Sequence, residues 1–160
     1  MKVGVGLLIA LVTPFPTVLA QTTTEAKGGG FTVGWARVAD TSALQLGLRI
    51  WSGPFGTGAH FDGAAGFDFI FGRHSALYDV LDADLGYAMG FNADATTCLI
   101  LRGGGSMWML KDSAGGFGAN LGVELRHLSK SGPQWIVDLN WRRFSGLTLP
   151  SVTVGLVGYN

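Results

Sequence analysis

The sequence predicts an all-β protein: eight antiparallel strands in up-and-down order, closed into a transmembrane barrel and preceded by a cleaved signal peptide. Three observations predict it. Apolar and polar residues alternate with a period of two over one segment after another. Only 14% of the 160 residues are charged, against about 25% in soluble domains. The chain is apolar overall, 48% hydrophobic, yet carries no run suited to a membrane helix.

Residues 1–20 read as a secretory signal. Lys2 supplies a positive start, Val3–Val12 an apolar stretch, and Pro14 and Pro16 a break. Val18-Leu-Ala20 then places small or β-branched residues where a signal peptidase reads, so cleavage is expected after Ala20. Residues 21–30 are polar and glycine-rich and read as a flexible leader, which leaves 31–160 as the barrel domain. Export implies an oxidising compartment. The single cysteine, Cys98, excludes an internal disulfide and is expected to be a buried small hydrophobe.

Segments 31–39 and 97–110 fit the alternation loosely. In 43–51, Leu44, Leu46, Leu48 and Ile50 oppose Gln45, Gly47 and Arg49. In 60–72, Phe61, Ala65, Phe67, Phe69 and Phe71 oppose His60, Asp62, Gly66 and Asp68. In 76–91, Leu77, Leu81, Leu85, Tyr87, Met89 and Phe91 oppose Asp82, Asp84, Gly86 and Gly90. In 117–128, Phe117, Leu121, Val123 and Leu125 oppose Asn120, Gly122, Glu124 and Arg126. In 134–144, Trp135, Val137, Leu139 and Trp141 oppose Asp138, Asn140 and Arg142, and 150–159 closes the chain as an apolar strand. Turns are expected at 40–42, 52–58, 73–75, 92–95, 111–116, 129–133 and 145–149, all rich in Gly, Pro, Asn, Asp or Ser. Such short connections imply antiparallel neighbours.

The composition of the polar face decides which side looks inward. A solvated face would be dense in Lys and Glu, but residues 21–160 contain three Lys and two Glu. The face holds small residues and isolated charges instead: Arg49, Asp62, Asp68, Asp82, Asp84, Arg102, Glu124, Arg126, Asp138 and Arg142. Arginine satisfies carboxylates bidentately where water is scarce, so these ten are expected to plug the interior as an ion-pair network. Leu46, Leu48, Phe67, Phe69, Leu85, Leu121, Val123, Val137 and Leu139 are then expected to face lipid. Closure satisfies every backbone group inside the bilayer, and eight strands leave no room for a wide pore.

The stretches Arg102-Gly-Gly-Gly-Ser106, Gly115–Arg126, Leu139-Asn-Trp-Arg-Arg-Phe144 and Pro150–Tyr159 resemble small outer-membrane β-barrel proteins of the OmpA/OmpX type. The resemblance covers nearly the whole chain and carries no catalytic signature. It implies residence in the outer membrane, contact with its lipids including lipopolysaccharide, and recognition by the outer-membrane assembly machinery, with Tyr159 as the penultimate aromatic. A monomer is expected.

Several other residue groupings bear on chemistry. His127-Leu-Ser129 has the spacing of the outer-membrane lipid A deacylases, whose Ser and His work with a third, orienting acid. No Glu follows Glu124, and strand parity puts the pair at the periplasmic rim, away from lipid A in the outer leaflet. A non-catalytic structural or interaction barrel is therefore the expected function, with the deacylase-like hydrolase and a small solute pore as alternatives. Asp79, Asp82 and Asp84 could suggest a cation site, but Asp79 falls on the opposite face. Gly28–Gly30, Gly103–Gly105 and Gly115–Gly116 lack the helix and the Lys-Ser/Thr of a phosphate loop, and Gly103–Gly105 is expected to mark a bulge. Trp51, Trp108, Trp135, Trp141, Phe91, Phe117 and Phe144 lie near strand ends and are expected to form interfacial girdles. No cofactor or metal is expected. Zero net charge argues against nucleic acid. Any partner is expected on strands 60–72 and 76–91, with Arg73, His74 and Asp79 at their tip.

Overall fold

The structure, a computed structural model, describes residues 24–55, 59–72, 77–90, 96–110, 113–129 and 132–159. The strands are β1 (Thr24–Val38), β2 (Thr41–Phe55), β3 (Ala59–Phe71), β4 (Leu77–Gly90), β5 (Thr97–Leu110), β6 (Ser113–His127), β7 (Trp135–Phe144) and β8 (Leu147–Tyr159). Each pairs antiparallel with its neighbours in sequence, and β8 returns to β1, so the sheet closes as a barrel. The signal peptide expected at 1–20 lies outside the described residues.

The strands run longer than the alternation alone suggested. Thr24–Gly30, expected to be leader, is the first half of β1, and Gly28, Gly29 and Gly30 pair with β2 on one side and β8 on the other. Ser52–Phe55, Ser113–Gly116 and Leu147–Leu149, expected to be turns, are also strand. Turn-forming residues are held extended here because a neighbouring strand claims their backbone groups, on both sides at Gly28–Gly30 and on one side at Gly53–Phe55, Ser113–Gly116 and Leu147–Leu149, and ladder pairing outweighs local preference. What remains of the first and last hairpin turns is two residues each, Ala39-Asp40 and Ser145-Gly146. Gly146 supplies a φ of 76°, which costs a glycine nothing. Ala39 adopts 52°, with its carbonyl accepting from Arg37 Nε at 3.2 Å.

Stepping from partner to partner measures the stagger. Gly28, Trp51, Ala64, Asp84, Gly104, Asn120, Arg142 and Leu149 are successive partners around the sheet. Leu149 lies two residues before Ser151, the partner of Ala36, and so is level with Val38. One circuit thus advances ten residues along β1. With eight strands this shear tilts them by roughly 40° and leaves an interior just wide enough for side chains to fill. Gly103–Gly105 pairs without interruption; the register shift in β5 falls at Trp108/Leu110. The longest ladder joins β1 to β2. Arg73 and His74, proposed as the tip of a partner surface, lie outside the described residues.

The outer face is apolar. Leu46, Leu48, Phe69, Leu85, Leu121, Val123 and Leu139 are exposed, and Phe117 reaches 82%. Phe67 and Val137, expected beside them, are half-buried. An exposed apolar surface running round the whole barrel suits lipid and not water.

Among the described residues the interior has three layers. The end carrying the two-residue turns is filled by Ala36, Val38, Ala43, Ile70, Val80, Phe144 and Leu149, with Tyr78, Trp108 and Leu147 packed against them. The end carrying the chain termini holds Ala88, Cys98 and Ile100, with Trp51, Leu128 and Ile136 also buried. The charged residues lie between these apolar layers.

This layering corrects the aromatic girdle. Trp51 and Phe144 are buried inside and Trp108 is part of the inner layer, its ring 6.1 Å from that of Phe144. Parity dictates this, since Trp51 follows Arg49 by two residues, Phe144 follows Arg142, and Trp108 follows Ser106. Phe117 and Trp141 do face outward, Trp135 is half-buried, and Phe91 lies outside the described residues.

Candidate functional site: the buried charge network

All ten charged residues expected to line the interior point into it, and none is more than 5% exposed. They form two groups. In the larger, acids and bases alternate: Asp62, Arg126, Glu124, Arg102, Asp84, Arg49, Asp138. Arg126 donates to both oxygens of Asp62, at 2.8 and 3.4 Å, and through Nε to Glu124 at 2.7 Å. Glu124 also accepts from Arg102. Asp84 lies between the guanidinium groups of Arg102, at 3.9 Å, and Arg49, at 3.7 Å. Arg49 then reaches across the barrel to Asp138 Oδ2 at 3.0 Å.

The smaller group is centred on Arg142. Its Nε lies 3.1 and 2.9 Å from the two oxygens of Asp82, and its Nη2 bridges Asp82 and Asp68. Ser106 Oγ donates to Asp82 at 2.5 Å, and Asn120 Nδ2 lies 3.0 Å from Ser106 Oγ. Nη1 of Arg142 donates to Ser151 Oγ at 3.2 Å. The guanidinium thus ties β3, β4 and β8 to β7, and Asp82 extends the group to Ser106 on β5 and Asn120 on β6.

These residue types are needed because the site is dry. A carboxylate taken out of water is tolerated only with donors around it, and guanidinium supplies five in a planar fork. Sequence reasoning missed the neutral partners Ser106 and Ser151, and also Trp51. The Arg126 guanidinium lies 4.4 Å from the Trp51 ring centre, a cation–π contact at the lower edge of the network.

The other candidates are placed apart. His127 pairs in register with Thr97 and Trp135. Its Nδ1 is 2.8 Å from Thr97 Oγ1 and its ring stacks on Trp135. In a hydrolase Nδ1 would face an acid that orients the ring; here a hydroxyl stands there. The Ser129 carbonyl accepts from Gln134 Nε2 at 2.9 Å. Asp82 and Asp84 face the arginines, while Asp79 is half-buried on the other parity, so the three do not share a site. Among the described residues, no three His, Cys, Asp or Glu side chains gather as metal ligands. No described helix is long and apolar enough to cross a membrane, a test that leaves strands aside.

No protein-family model and no curated protein matches the sequence. Solved structures match by shape. Ail, the attachment invasion locus protein of Yersinia pestis, in complex with the heparin analogue sucrose octasulfate, superposes with a TM-score of 0.60 at 9% identity, over 86% of this chain and 97% of that one. Neisserial surface protein A gives 0.56 at 10% identity, over 83% and 95%. The N-terminal β-barrel domain of Pseudomonas aeruginosa OprF gives 0.54 at 15% identity, over 84% and 97%. At such identities the likeness concerns the fold, and the fold of this chain is that of the small eight-stranded outer-membrane barrels.

Proposed function

We propose that the chain is an integral outer-membrane protein acting as a closed, non-conducting barrel, in a structural or interaction role and without catalysis. The observation that carries this reading is the filled interior, where a paired charge network lies between two apolar layers. An ion entering from either end would have to pass a layer of apolar side chains, Phe144, Trp108 and Leu149 at one end and Trp51, Ile100 and Ile136 at the other. The apolar exterior and the likeness to outer-membrane barrels support the location. Contact with lipopolysaccharide and assembly as a monomer belong to the same reading.

The hydrolase alternative lacks support at the imidazole, where Thr97 stands in the acid's place. A Ser–His pair whose imidazole faces a hydroxyl in place of that acid lacks the group that orients it for proton transfer. The pore alternative is opposed by the packing itself.

Two measurements on purified protein test the proposal. Unboiled samples should run as a compact, SDS-resistant species that shifts on heating. Planar-bilayer recordings should show no steady single-channel current, and a large, stable conductance would overturn the closed barrel. For the catalytic alternative, the lipid A mass spectrum should be the same with and without the protein. Loss of an acyl chain abolished by Ser129→Ala would overturn the non-catalytic reading.

A further inference from the structure

The buried network does not balance. Its ten side chains comprise six carboxylates and four guanidinium groups, a formal charge of minus two. The excess is divided. The larger group begins and ends on acids, Asp62 and Asp138, and the smaller sets Asp68 and Asp82 against Arg142 alone. Leaving two unpaired charges in a medium of low dielectric constant would cost more than a marginally stable fold can carry.

A second observation shows where the balancing charge belongs. Asp138 Oδ1, Asn140 Oδ1, Thr153 Oγ1 and both amide atoms of Gln45, Oε1 and Nε2, are among the buried side-chain atoms without a hydrogen-bond partner. Their residues are 1–5% exposed. The ladders bring them to one wall. Asp138 pairs with Thr153, Thr153 with Gly34, and Gly34 with Gln45, while Asn140 is one inward position along β7 from Asp138. Gly34, between Thr153 and Gln45, has no side chain to separate them. Beside it, a methyl group on Gly47 would collide with Asp68 Oδ1 and Thr32 Oγ1, which therefore lie over that glycine. The wall formed by β8, β1 and β2 thus presents neutral oxygens between Asp138 of one group and Asp68 of the other.

We propose that this wall is a cation site, and that the folded barrel encloses one hard, oxygen-preferring divalent cation of the calcium class. Protonating one carboxylate would remove one of the two charges and add one donor, leaving the second charge and the amide oxygens of Gln45 and Asn140 unmatched. Water would offer donors but no charge. A divalent ion meets both needs, since calcium accepts carboxylate, amide and hydroxyl oxygens in irregular numbers. Binding requires the assembled wall, so the ion is taken up as the barrel forms and stabilises it by linkage.

The test uses the full chain folded in detergent micelles, with calcium as the probe. Protein folded in calcium and then gel-filtered into metal-free buffer should retain about one calcium per barrel by elemental analysis. Equilibrium urea unfolding should depend on free calcium. Raising it from one to one hundred times its dissociation constant should raise the folded-to-unfolded ratio about fifty-fold, and sodium at matched ionic strength should not. Thr153→Val and Gln45→Leu leave every ion pair intact and should lose that response while keeping the heat shift on gels. The proposal is overturned if no calcium is retained and unfolding is the same in calcium and chelator. It is equally overturned if the response survives in both variants, which would place the ion on the surface. Proton uptake on folding with no metal would overturn it in favour of neutral acids. Should both variants fail to fold, the calcium content of the unaltered barrel decides.

Discussion

Replacing Arg142 with Met will destabilise the folded barrel by about 3–5 kcal/mol, the range for removing one partner from a buried ion pair. The cost arises less from lost attraction than from what is left behind. Asp82 and Asp68 would remain buried with their shared cation gone, and Ser106 and Asn120 alone would face Asp82. Met nearly matches the side-chain length, so cavity formation contributes little. The neighbouring Arg143 points outward and is exposed; Arg143→Met should therefore leave the urea midpoint almost unchanged. Adding Asp82→Asn to Arg142→Met should recover part of the loss, because contacting residues are not additive. Equal effects at 142 and 143 would contradict the inward placement.

On the outer face the largest effect is expected at Leu121, near the middle of β6 and 68% exposed. Leu121→Arg should cost about 2–4 kcal/mol in a bilayer, the range for a cation at the midplane of a membrane barrel. Thr148→Arg, one position past the start of β8 and also outward, should cost about 0–1 kcal/mol, as near an interface. The comparison is made by unfolding in lipid vesicles. A uniform cost at both sites would mean that the apolar surface does not sit across the bilayer.

Much of this arrangement was legible as parity. Once Arg49, Asp82, Glu124 and Arg142 were read as inward, every second residue on their strands followed, because a pleated strand offers only two directions. The errors came where another rule displaced parity. Trp51, Trp108 and Phe144 were assigned to the lipid interface because aromatic residues near strand ends often lie there, although each shares a face with an inward polar residue. Gly28–Gly30 and Ser113–Gly116 were read as irregular because their own preferences are weak, and nothing local reveals that neighbouring strands will hold them. The apolar layers were hidden for a different reason. Ile70, Val80 and Ile100 sit inward among polar neighbours, so they register only as blemishes in an alternating pattern until closure stacks them. Which acid meets which arginine was also beyond reach, since those pairings cross the barrel and depend on its stagger.

The ladder between β1 and β8 carries a further consequence. Side chains do little to set its alignment, because Gly28, Gly29, Gly30, Gly34, Gly155 and Gly158 are spread along it. A slip of two residues would keep every remaining side chain on its proper face. It would also change the circumference, since the stagger of the whole barrel is settled where the first strand meets the last. Bare backbone is what forbids the slip. A methyl group at Gly30, Gly34 or Gly155 would strike the carbonyl oxygen of Leu156, Val152 or Phe31 respectively, so the strands approach this closely only where a hydrogen atom stands in place of a side chain. The glycines act as the notches of a key. They admit one alignment of the closing edge, and through it they set the bore into which four arginines and six acids must fit.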